Sequence, residues 1–383
     1  MSRSLTVMVS AGEASGDSHA ANAIRALHAD GFDVSSFGMG ANHLKGTGTD
    51  LIVDCRDLAV IGIADVLINY PRFMRRLNRL REEMQQRKPD ILLLVDYPDF
   101  NLKLAETAKK MQIPVLFYIS PKVWAWRAGR VKRIASLVSH MAVIFPFEVD
   151  IYQRENVPVT YVGNPVVADA QSPLSRDEAC LQVGLETEHQ VVGLLPGSRR
   201  SEISRNLPVM VKTARLIRQQ SPSIQFLLPV APTLDIDLIQ QALDDVLPQW
   251  LSLSTVDSRT AMRAADVALV ASGTATLETA LIGTPMVVMY VINPLNYAIM
   301  KRLIQIPDIS LVNIVAERRI VPEYLQHAAN PETLSNELRS LLSDHERRTV
   351  MLEDLKTVKL RMGDANASKR VARLLAQLVK TNA

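Results

Sequence analysis

The carboxylate best placed for acid–base chemistry follows a buried apolar run. LLLV at 92–95 leads directly into Asp96, with Asp99 and Asn101 shortly behind it. Asp99 and Asn101 fit the first turn of a helix, where helix capping competes with ligand binding as their role. Asp96 precedes that helix, at the position from which a strand presents a side chain to a cleft. We predict that Asp96 is a general base.

A second stretch, LLPGSRRSEI at 194–203, combines an apolar run, a small-residue turn and the start of a helix. Gly197 and Ser198 precede Arg199. Unpaired backbone N–H groups at a helix N-terminus and a bidentate arginine both suit phosphate. The loop lacks the Lys-Ser/Thr pair of a magnesium-holding P-loop. We therefore predict that its phosphate is bound for transfer of the attached group.

A third stretch, ASGTATLE, repeats this pattern. Its turn residues are Ser272, Gly273 and Thr274, and Glu278 follows one turn into the helix. Ser272 could simply cap the helix. Two such helix N-termini in one half of the chain favour a diphosphate, with Glu278 accepting hydrogen bonds from ribose hydroxyls. Asn313, in the polar break of SLVNIVAE, is predicted to line the same cleft.

The glycine-containing loop AGEASGD follows the first apolar run and has neither dinucleotide nor Walker spacing. Gly12 and Gly16 permit close approach of the backbone to a ligand. Ser15 and Asp17 either contact that ligand or cap the next helix, and both interpretations stay open.

Aromatic and basic residues alternate in SPKVWAWR at 120–127, which contains Trp124, Trp126 and Arg127. A solvated helix face is the simple interpretation. Aromatic rings beside cations also suit a sugar or an anionic head group, so Trp126 and Arg127 are candidate acceptor ligands.

The segment at 66–84 has the periodicity of an amphipathic helix. Its apolar positions include Leu67, Tyr70, Phe73, Met74 and Leu77, and arginines fill most of the others. Such a helix either faces the core or lies on an anionic membrane surface. The pattern alone leaves both possibilities open.

Composition excludes several classes of protein. The 383 residues carry a net charge of only +3, and no apolar run approaches the roughly 18 residues of a membrane span. No signal peptide is predicted, so we expect a soluble or peripheral protein. The two cysteines and seven histidines have no ligand spacing, and the acids Asp235 and Asp237 fit a helix first turn, so no metal is expected.

The elements that position these residues form two series of apolar runs alternating with helical stretches, joined at Gly163-Asn164-Pro165. Runs that are apolar throughout indicate parallel strands buried on both faces. We predict an α/β protein with two doubly wound parallel-sheet domains facing a cleft. The domains are 1–165 and 166–345, with helices at 346–383 that cross back to the first domain or contact a partner subunit in a homodimer.

Five motifs, AGEASGD, VDYPDFN, SPKVWAWR, LLPGSRRSE and ASGTATLE, occur in the order seen in lipid-A-disaccharide synthases, and the chain resembles that family over nearly its whole length. The resemblance implies a GT-B fold of two Rossmann-like domains. It also implies inverting transfer from UDP-2,3-diacylglucosamine to 2,3-diacylglucosamine 1-phosphate (lipid X), which gives UDP and the β-1,6-linked lipid A disaccharide 1-phosphate.

The resemblance also assigns roles to particular residues. Asp96 matches the family's base, while Arg199, Glu278 and Asn313 match positions around UDP in the second domain. Asn164 stands where the family often has histidine, so the proton transfer assigned to that histidine does not carry over, and whether Asn164 hydrogen-bonds to the acceptor stays open. The family's lipid substrates imply peripheral association with the cytoplasmic face of the inner membrane of a Gram-negative bacterium. No cofactor, metal or nucleic acid is implied.

Two other functions are compatible with two such domains. One is a UDP-GlcNAc 2-epimerase-like enzyme, which has no use for an arginine-rich amphipathic helix. The other is a non-catalytic scaffold that binds a nucleotide sugar.

Overall fold

The computed structural model describes residues 3–58, 63–124, 129–171, 173–230, 236–243, 247–294, 297 and 307–381. The chain forms two compact units. The first comprises Met1–Pro165 and Asp364–Ala383, and the second comprises Val166–Gly363. The segment predicted as a helical tail is therefore divided between the units at Gly363.

Within these described residues, the first unit contains a seven-stranded parallel sheet of order β3-β2-β1-β4-β5-β6-β7. Its strands are β1 Arg3–Ala11, β2 Phe32–Gly40, β3 Asp50–Asp54, β4 Ile91–Val95, β5 Val115–Tyr118, β6 His140–Val143 and β7 Val159–Tyr161. The second unit contains, over the same described portion, a six-stranded parallel sheet of order β10-β9-β8-β11-β12-β13. These strands are β8 Val191–Leu195, β9 Gln225–Pro229, β10 Leu251–Ser254, β11 Val267–Ala271, β12 Met286–Tyr290 and β13 Glu323–Leu325.

Helices follow most strands, as expected for parallel crossover connections. The α-helices are α1 Ala14–Ala29, α2 Asn42–Lys45, α3 Ile63–Arg87, α4 Pro98–Lys110, α5 Arg130–Ala135, α6 Glu148–Gln153, α7 Pro165–Asp169, α8 Arg176–Gln182, α9 Arg200–Gln220, α10 Ile236–Ala242, α11 Ser258–Ala264, α12 Thr274–Ile282, α13 Leu311–Ala316, α14 Pro331–Ser343, α15 His345–Met362 and α16 Ala367–Thr381. Short 3₁₀ segments occur at Cys55–Leu58 and Gln326–Ala328.

Both sheets are doubly wound, which confirms the predicted fold class. Strands β4, β8 and β11 are buried along their whole length, because helices cover both faces of the sheet. The strand order reverses direction between β1 and β4 in the first sheet and between β8 and β11 in the second. Ligands of such sheets bind beyond the carboxyl ends of the strands at this switch point. Each unit therefore presents two of the predicted motifs at its switch point.

The C-terminal helix α16 packs on the first unit. Its Val371 and Leu375 join one hydrophobic cluster with Ile24 and Leu27 of α1 and with buried residues of β1 and β4. This helix therefore completes one face of the first sheet.

Helix α3 turns most of its described apolar face toward the core. Leu77, predicted to face a membrane, is fully buried in the cluster that also contains Phe100. That prediction was wrong, because the apolar side of α3 covers one face of the first sheet. The arginines on the other side of the helix did not distinguish the two possibilities, since they can face either water or lipid head groups. Phe73 and Met74 are half-buried against the same cluster. Leu67 lies where side chains are not described.

Among the predicted membrane-facing residues whose side chains are described, Tyr70 is exposed, at 49%. Among the described residues, no helix combines the length and apolar character needed to cross a bilayer.

In the second unit, Asp266 ties the start of β11 to β8 and α8. Its carboxylate accepts from both Arg176 Nη2 at 2.8 Å and Arg176 Nε at 3.1 Å, and from the Val191 backbone N–H at 2.9 Å. The Asp266 side chain is 11% exposed, whereas Asp177, which also pairs with Arg176, is 67% exposed.

We expect Asp266→Ala to lower the free energy of unfolding by about 1–3 kcal/mol, because it leaves the buried Val191 N–H without its acceptor and removes the less exposed of the two carboxylates that Arg176 binds. Asp177→Ala is the matched control and should cost less than about 1 kcal/mol, since it removes only an exposed pair. Urea unfolding of both variants measures this. Equal losses would contradict the role given to Asp266.

Candidate active site

The predicted base Asp96 lies directly after β4 and is half-buried. Asp96 and Tyr97 have φ angles of 49° and 47°, a left-handed conformation that is uncommon for residues other than glycine. The backbone N–H of Asp96 donates to the Tyr118 carbonyl at 3.0 Å, and its carbonyl accepts from Asn101 Nδ2 at 2.6 Å. Left-handed backbone is strained at residues other than glycine, and these two hydrogen bonds hold Asp96 in this turn directly after β4.

Asn101, predicted among the acceptor ligands, serves as an internal brace. Its side chain is fully buried. The amide nitrogen also donates to the Ser10 and Val95 carbonyls, each at 3.3 Å, and the amide oxygen accepts from Ser10 Oγ at 2.6 Å. Asn101 therefore joins the ends of β1 and β4 and positions Asp96. The sequence could not distinguish this from ligand binding, because both roles use a polar residue at a helix start.

Charges around Asp96 suit a proton acceptor. Burial, and then the nearby Glu13 carboxylate, raise the pKa of Asp96 above its ordinary value. The Tyr97 backbone N–H and the Lys122 ammonium act in the opposite direction. A raised carboxyl pKa brings a base closer in strength to the hydroxyl proton that it must remove.

The loop after β1 packs against the Asp96 turn. A Cβ added at Gly12 would lie 2.2 Å from Tyr97 Cγ, so only glycine fits beneath that ring. Gly16 is buried on α1, with its Cβ position 3.5 Å from Val95 Cγ1, and Ser15 is exposed beside it. Gly12 thus lets the loop lie close to the Asp96 turn, whereas a Cβ at Gly16 would make only ordinary contacts. Ser15 stays a predicted acceptor ligand.

Asp17, also predicted to bind acceptor, caps a helix instead. Its buried carboxylate accepts from the backbone N–H groups of Ala41 at 2.6 Å, His43 at 2.8 Å and Leu44 at 3.2 Å. These donors form the N-terminus of α2, and three bonds to one carboxylate leave little capacity for a ligand. The capping interpretation is correct, although the capped helix is α2 and not α1.

Of the remaining predicted acceptor residues of the first unit, the structure describes Asp99 and Asn164. Asp99 is exposed in the first turn of α4, and its carboxylate pairs with Arg130 at 2.6 Å. Asn164 is buried. Trp126 and Arg127 lie outside the described residues.

Glu148 is a buried carboxylate that the sequence prediction missed. It follows β6 and its side chain is 1% exposed. Burial raises the pKa of Glu148 to about 7, although Phe145, Ser120 and Trp124 stabilise the charged form. In FPFE the residue resembles an ordinary acid in a helix first turn, so no signal separated it.

In the second unit, the loop before α9 is already occupied by an internal carboxylate. Glu202 accepts from the backbone N–H groups of Ser198 at 3.1 Å and Arg199 at 3.2 Å, and from Arg199 Nη1 at 3.0 Å. Gly197, with φ of 111°, brings its backbone against Glu202. Two N–H groups expected to bind phosphate are thus satisfied. The Arg199 side chain, 78% exposed, remains the accessible cation of this loop.

The loop before α12 is open by comparison. Gly273 occupies the N-cap position, where no side chain caps the helix, and a Cβ added there would meet nothing within 4 Å. Ser272 Oγ donates to the Ile309 carbonyl at 3.2 Å, so it braces the loop and does not cap α12. The N-terminus of α12 at Gly273 and Thr274 is therefore better suited to an anion than that of α9, where Glu202 already accepts from the backbone N–H groups.

Glu278 lies on α12 behind this N-terminus. Its carboxylate accepts from Arg259 Nε at 3.2 Å, and burial raises its pKa while Arg259 lowers it. One oxygen is thereby committed to Arg259, and the predicted contact of Glu278 with ribose hydroxyls stays a prediction.

Asn313 does not line an open cleft. It is buried, and its amide donates to the Val321 carbonyl at 2.9 Å and to Glu323 Oε1 at 2.7 Å. Its oxygen accepts from the backbone N–H groups of Ile320 and Val321 at 2.8 and 3.0 Å. The whole amide is used to fix the chain after α13, so direct contact with a nucleotide is not supported.

Metal ligands are not grouped in the part of the chain that the structure describes, where no set of three or more His, Cys, Asp or Glu side chains could hold an ion.

The architecture is similar to that of enzymes of nucleotide sugars. One solved structure, the UDP-GlcNAc 2-epimerase from Neisseria meningitidis bound to UDP-GlcNAc, aligns with a TM-score of 0.62 at 14% identity, covering 98% of this chain and 100% of that one. MurG from Acinetobacter baumannii aligns with a TM-score of 0.59 at 15% identity, covering 98% and 99%. At such identities the likeness shows the fold alone. The class is therefore the GT-B fold of two parallel-sheet α/β domains.

Sequence comparison narrows this class. The family model described as lipid-A-disaccharide synthetase matches residues 7–378. The lipid-A-disaccharide synthase of Trichlorobacter lovleyi is 43% identical over 381 residues, which cover 98% of this chain and 97% of that protein. The chain belongs to the lipid-A-disaccharide synthase family and is a glycosyltransferase of lipid A biosynthesis. The epimerase alternative is not favoured.

Because Asp17 caps α2, we expect Asp17→Ala to lower the free energy of unfolding by about 2–3 kcal/mol, since it leaves buried N–H groups without a charged acceptor. Asp33→Ala, on the exposed start of β2, is the control and should change it by less than about 0.5 kcal/mol. Thermal and urea unfolding measure both. A stable Asp17→Ala protein that loses acceptor binding would instead restore the ligand role.

Proposed function

We propose that this protein transfers the 2,3-diacylglucosaminyl group of UDP-2,3-diacylglucosamine to the 6-hydroxyl of 2,3-diacylglucosamine 1-phosphate. The observation that carries the proposal is the Asp96 carboxylate, held in a strained turn at the switch point of the first sheet with a raised pKa. Family membership supports the substrates, because residues 7–378 match the model of this family.

The reaction needs one proton acceptor and stabilisation of one leaving group. Asp96 removes the proton of the acceptor 6-hydroxyl, and that oxygen attacks the anomeric carbon from the face opposite UDP. The bond from the anomeric carbon to the diphosphate oxygen breaks, and UDP leaves with the bonding electrons. The anomeric centre is inverted, and the product is the β-1,6 disaccharide 1-phosphate.

Charge that develops on the diphosphate needs donors that are in place beforehand. The uncapped N-terminus of α12 at Gly273 and Thr274 offers backbone N–H groups. Arg199 supplies an exposed guanidinium whose planar donors match phosphate oxygens. Glu278 is retained as a proposed ribose contact, while Ser198 and Gly197 shape the loop that carries Arg199.

We expect Asp96→Asn to lower kcat by about 10²–10⁴-fold while UDP binding is retained, because the amide cannot accept the proton. Asp90→Asn is the matched control: Asp90 lies at the opposite end of β4, where its carboxylate accepts from the Thr6 N–H at 2.7 Å. Product formation from UDP-2,3-diacylglucosamine and lipid X, with EDTA present, measures both.

Activity of the wild type should fall on acidification at a higher pH than for an ordinary aspartate, because the base works only when ionised and its pKa is raised. A fully active Asp96→Asn enzyme would remove Asp96 from the mechanism. Wild-type protein that binds UDP but forms no disaccharide would favour the non-catalytic scaffold.

We further propose that the face of α3 formed by Arg72, Arg75 and Arg79 lies against an anionic membrane surface. All three arginines are exposed, and their spacing places them on one side of the helix. Cations near an anionic leaflet are worth about 1 kcal/mol each. This surface would bring the enzyme to its lipid substrates on the cytoplasmic face of the inner membrane.

Reversing the three charges, as Arg72→Glu, Arg75→Glu and Arg79→Glu together, should weaken binding to vesicles containing phosphatidylglycerol by more than about tenfold. Co-sedimentation measures it. Binding to phosphatidylcholine vesicles should change little, because no anionic surface is present.

The control reverses three exposed cations elsewhere, as Lys356→Glu, Lys359→Glu and Arg361→Glu on α15. An equal loss from both triple variants would mean that net charge, and not the α3 surface, governs membrane binding.

A homodimer formed through the C-terminal helices stays a prediction. Leu360 of α15 is 81% exposed and is the kind of apolar side chain that such an interface would cover.

A further inference from the structure

A carboxylate on the edge strand β13 binds the segment that precedes α13. Glu323 is half-buried at the start of β13. Its Oε2 accepts from the Ile309 backbone N–H at 2.9 Å, and its Oε1 accepts from the Ser310 backbone N–H at 3.1 Å. Oε1 also accepts from Ser310 Oγ at 2.5 Å and from Asn313 Nδ2 at 2.7 Å. Four donors use most of the accepting capacity of this carboxylate and leave little for a ligand.

The segment that Glu323 binds also contacts the loop before α12. Ser272 Oγ donates to the Ile309 carbonyl at 3.2 Å, and Ser272 comes directly before Gly273, where no side chain caps α12. The Ile309 carbonyl and the Ser310 N–H belong to one planar peptide group, in which they point in opposite directions. Glu323 therefore holds one side of this peptide group, and Ser272 binds the other. A rotation that takes the N–H away from Glu323 also takes the carbonyl away from Ser272.

The loop before α12 depends on contacts from outside, because its central residue is a glycine. Gly273 has a φ of 156°, and glycine restricts its own backbone less than any other residue. Within the loop, the Ser272 N–H donates to the Met289 carbonyl at 3.1 Å, and Thr276 Oγ1 donates to the Gly273 carbonyl at 2.8 Å. The Ser272 hydroxyl adds a bond to a segment that lies 37 residues further along the chain. That bond joins the exposed Gly273 and Thr274 to the part of the unit that Glu323 holds.

We propose that Glu323 is a positioning residue for the transfer reaction. It fixes the Ile309–Ser310 peptide group, and this group holds Ser272 so that the backbone N–H groups of the α12 N-terminus stay in place for the diphosphate of UDP. The inference rests on the proposed function, and in particular on the proposed diphosphate site at Gly273 and Thr274. Glu323 acts through Ile309 and Ser272, at two hydrogen bonds from that site.

Glu323→Gln tests the proposal, because an amide nitrogen would then face either the Ile309 N–H or the Ser310 N–H, and two donors cannot bond. We expect the Kd for UDP to rise, and kcat to fall, by about tenfold or more each, since displaced backbone donors stabilise the leaving diphosphate less well. The KM for lipid X should stay within about twofold, because that substrate does not use α12. Calorimetric titration with UDP and steady-state kinetics measure these quantities.

A double variant tests whether Glu323 acts through Ser272. Ser272→Ala should also weaken UDP binding, and Glu323→Gln combined with Ser272→Ala should weaken it no further than the more affected single variant. Effects that multiply would overturn the proposal, because they would mean that the two residues act independently. Glu337→Gln is the matched control: Glu337 is a half-buried carboxylate of α14 in the same unit, it pairs with Arg347, and its loss should leave the Kd for UDP unchanged.

The alternative is that Glu323 only supports the start of α13, where Ser310 Oγ accepts from the Asn313 N–H at 3.5 Å. Glu323→Gln would then have a lower melting temperature, with an unchanged Kd for UDP and an unchanged kcat at temperatures where it is folded. If Glu323→Gln does not fold, Ser310→Ala removes one hydrogen bond to Glu323 without changing the loop before α12, and it should raise the Kd for UDP.

The two proposals fail in different ways. Wild-type enzyme that makes no disaccharide would overturn the proposed function itself. Wild-type product together with an unchanged Kd for UDP in both Glu323→Gln and Ser310→Ala would overturn this inference alone.

Discussion

One buried amide determines the geometry at the switch point of the first sheet. The Asn101 side chain donates hydrogen bonds to carbonyls at the ends of β1 and β4. These are the two strands between which the strand order of the sheet changes direction. Its bond to the Asp96 carbonyl stabilises a left-handed residue that would otherwise relax toward the strand path. The close packing of Gly12 under Tyr97 depends on the same turn. The proposed base is therefore fixed by a network that no substrate needs to touch.

The N-termini of α9 and α12 follow similar sequences, but they differ in whether an internal carboxylate already binds their backbone N–H groups. Before α9, the Glu202 carboxylate accepts hydrogen bonds from the Ser198 and Arg199 backbone N–H groups. A carboxylate in the first turn thus already offsets the positive end of this helix. Before α12, Gly273 has no side chain to cap the helix, and the first turn carries no carboxylate. A nucleotide diphosphate would compete with an internal anion at α9 but not at α12. This difference favours the proposal that α12 would bind the diphosphate through backbone N–H groups, whereas the loop before α9 would bind it through the Arg199 side chain.

The sequence predicts the fold well because strands that are buried on both faces are apolar throughout, and the motifs fall at their carboxyl ends. It predicts individual polar residues less well. Asp17, Asn101 and Asn313 are short polar residues next to loops, and a residue that caps or braces a loop looks the same as one that binds a ligand. Leu77 was misplaced because periodicity identifies an apolar stripe without saying what covers it. Glu148 gave no signal, since its partners lie up to 28 residues away along the chain.

The packing of α16 on α1 has a consequence for biosynthesis. The first unit cannot complete its core when Pro165 leaves the ribosome, because the helix that covers Ile24 and Leu27 belongs to a segment made about two hundred residues later. At bacterial elongation rates this interval lasts roughly 10–40 s. During that time an apolar face of the nascent chain is exposed to solvent and to chaperones. The first unit can therefore be completed only after the second unit has been synthesised. Although most of the first unit is made first, it is the last of the two to be complete.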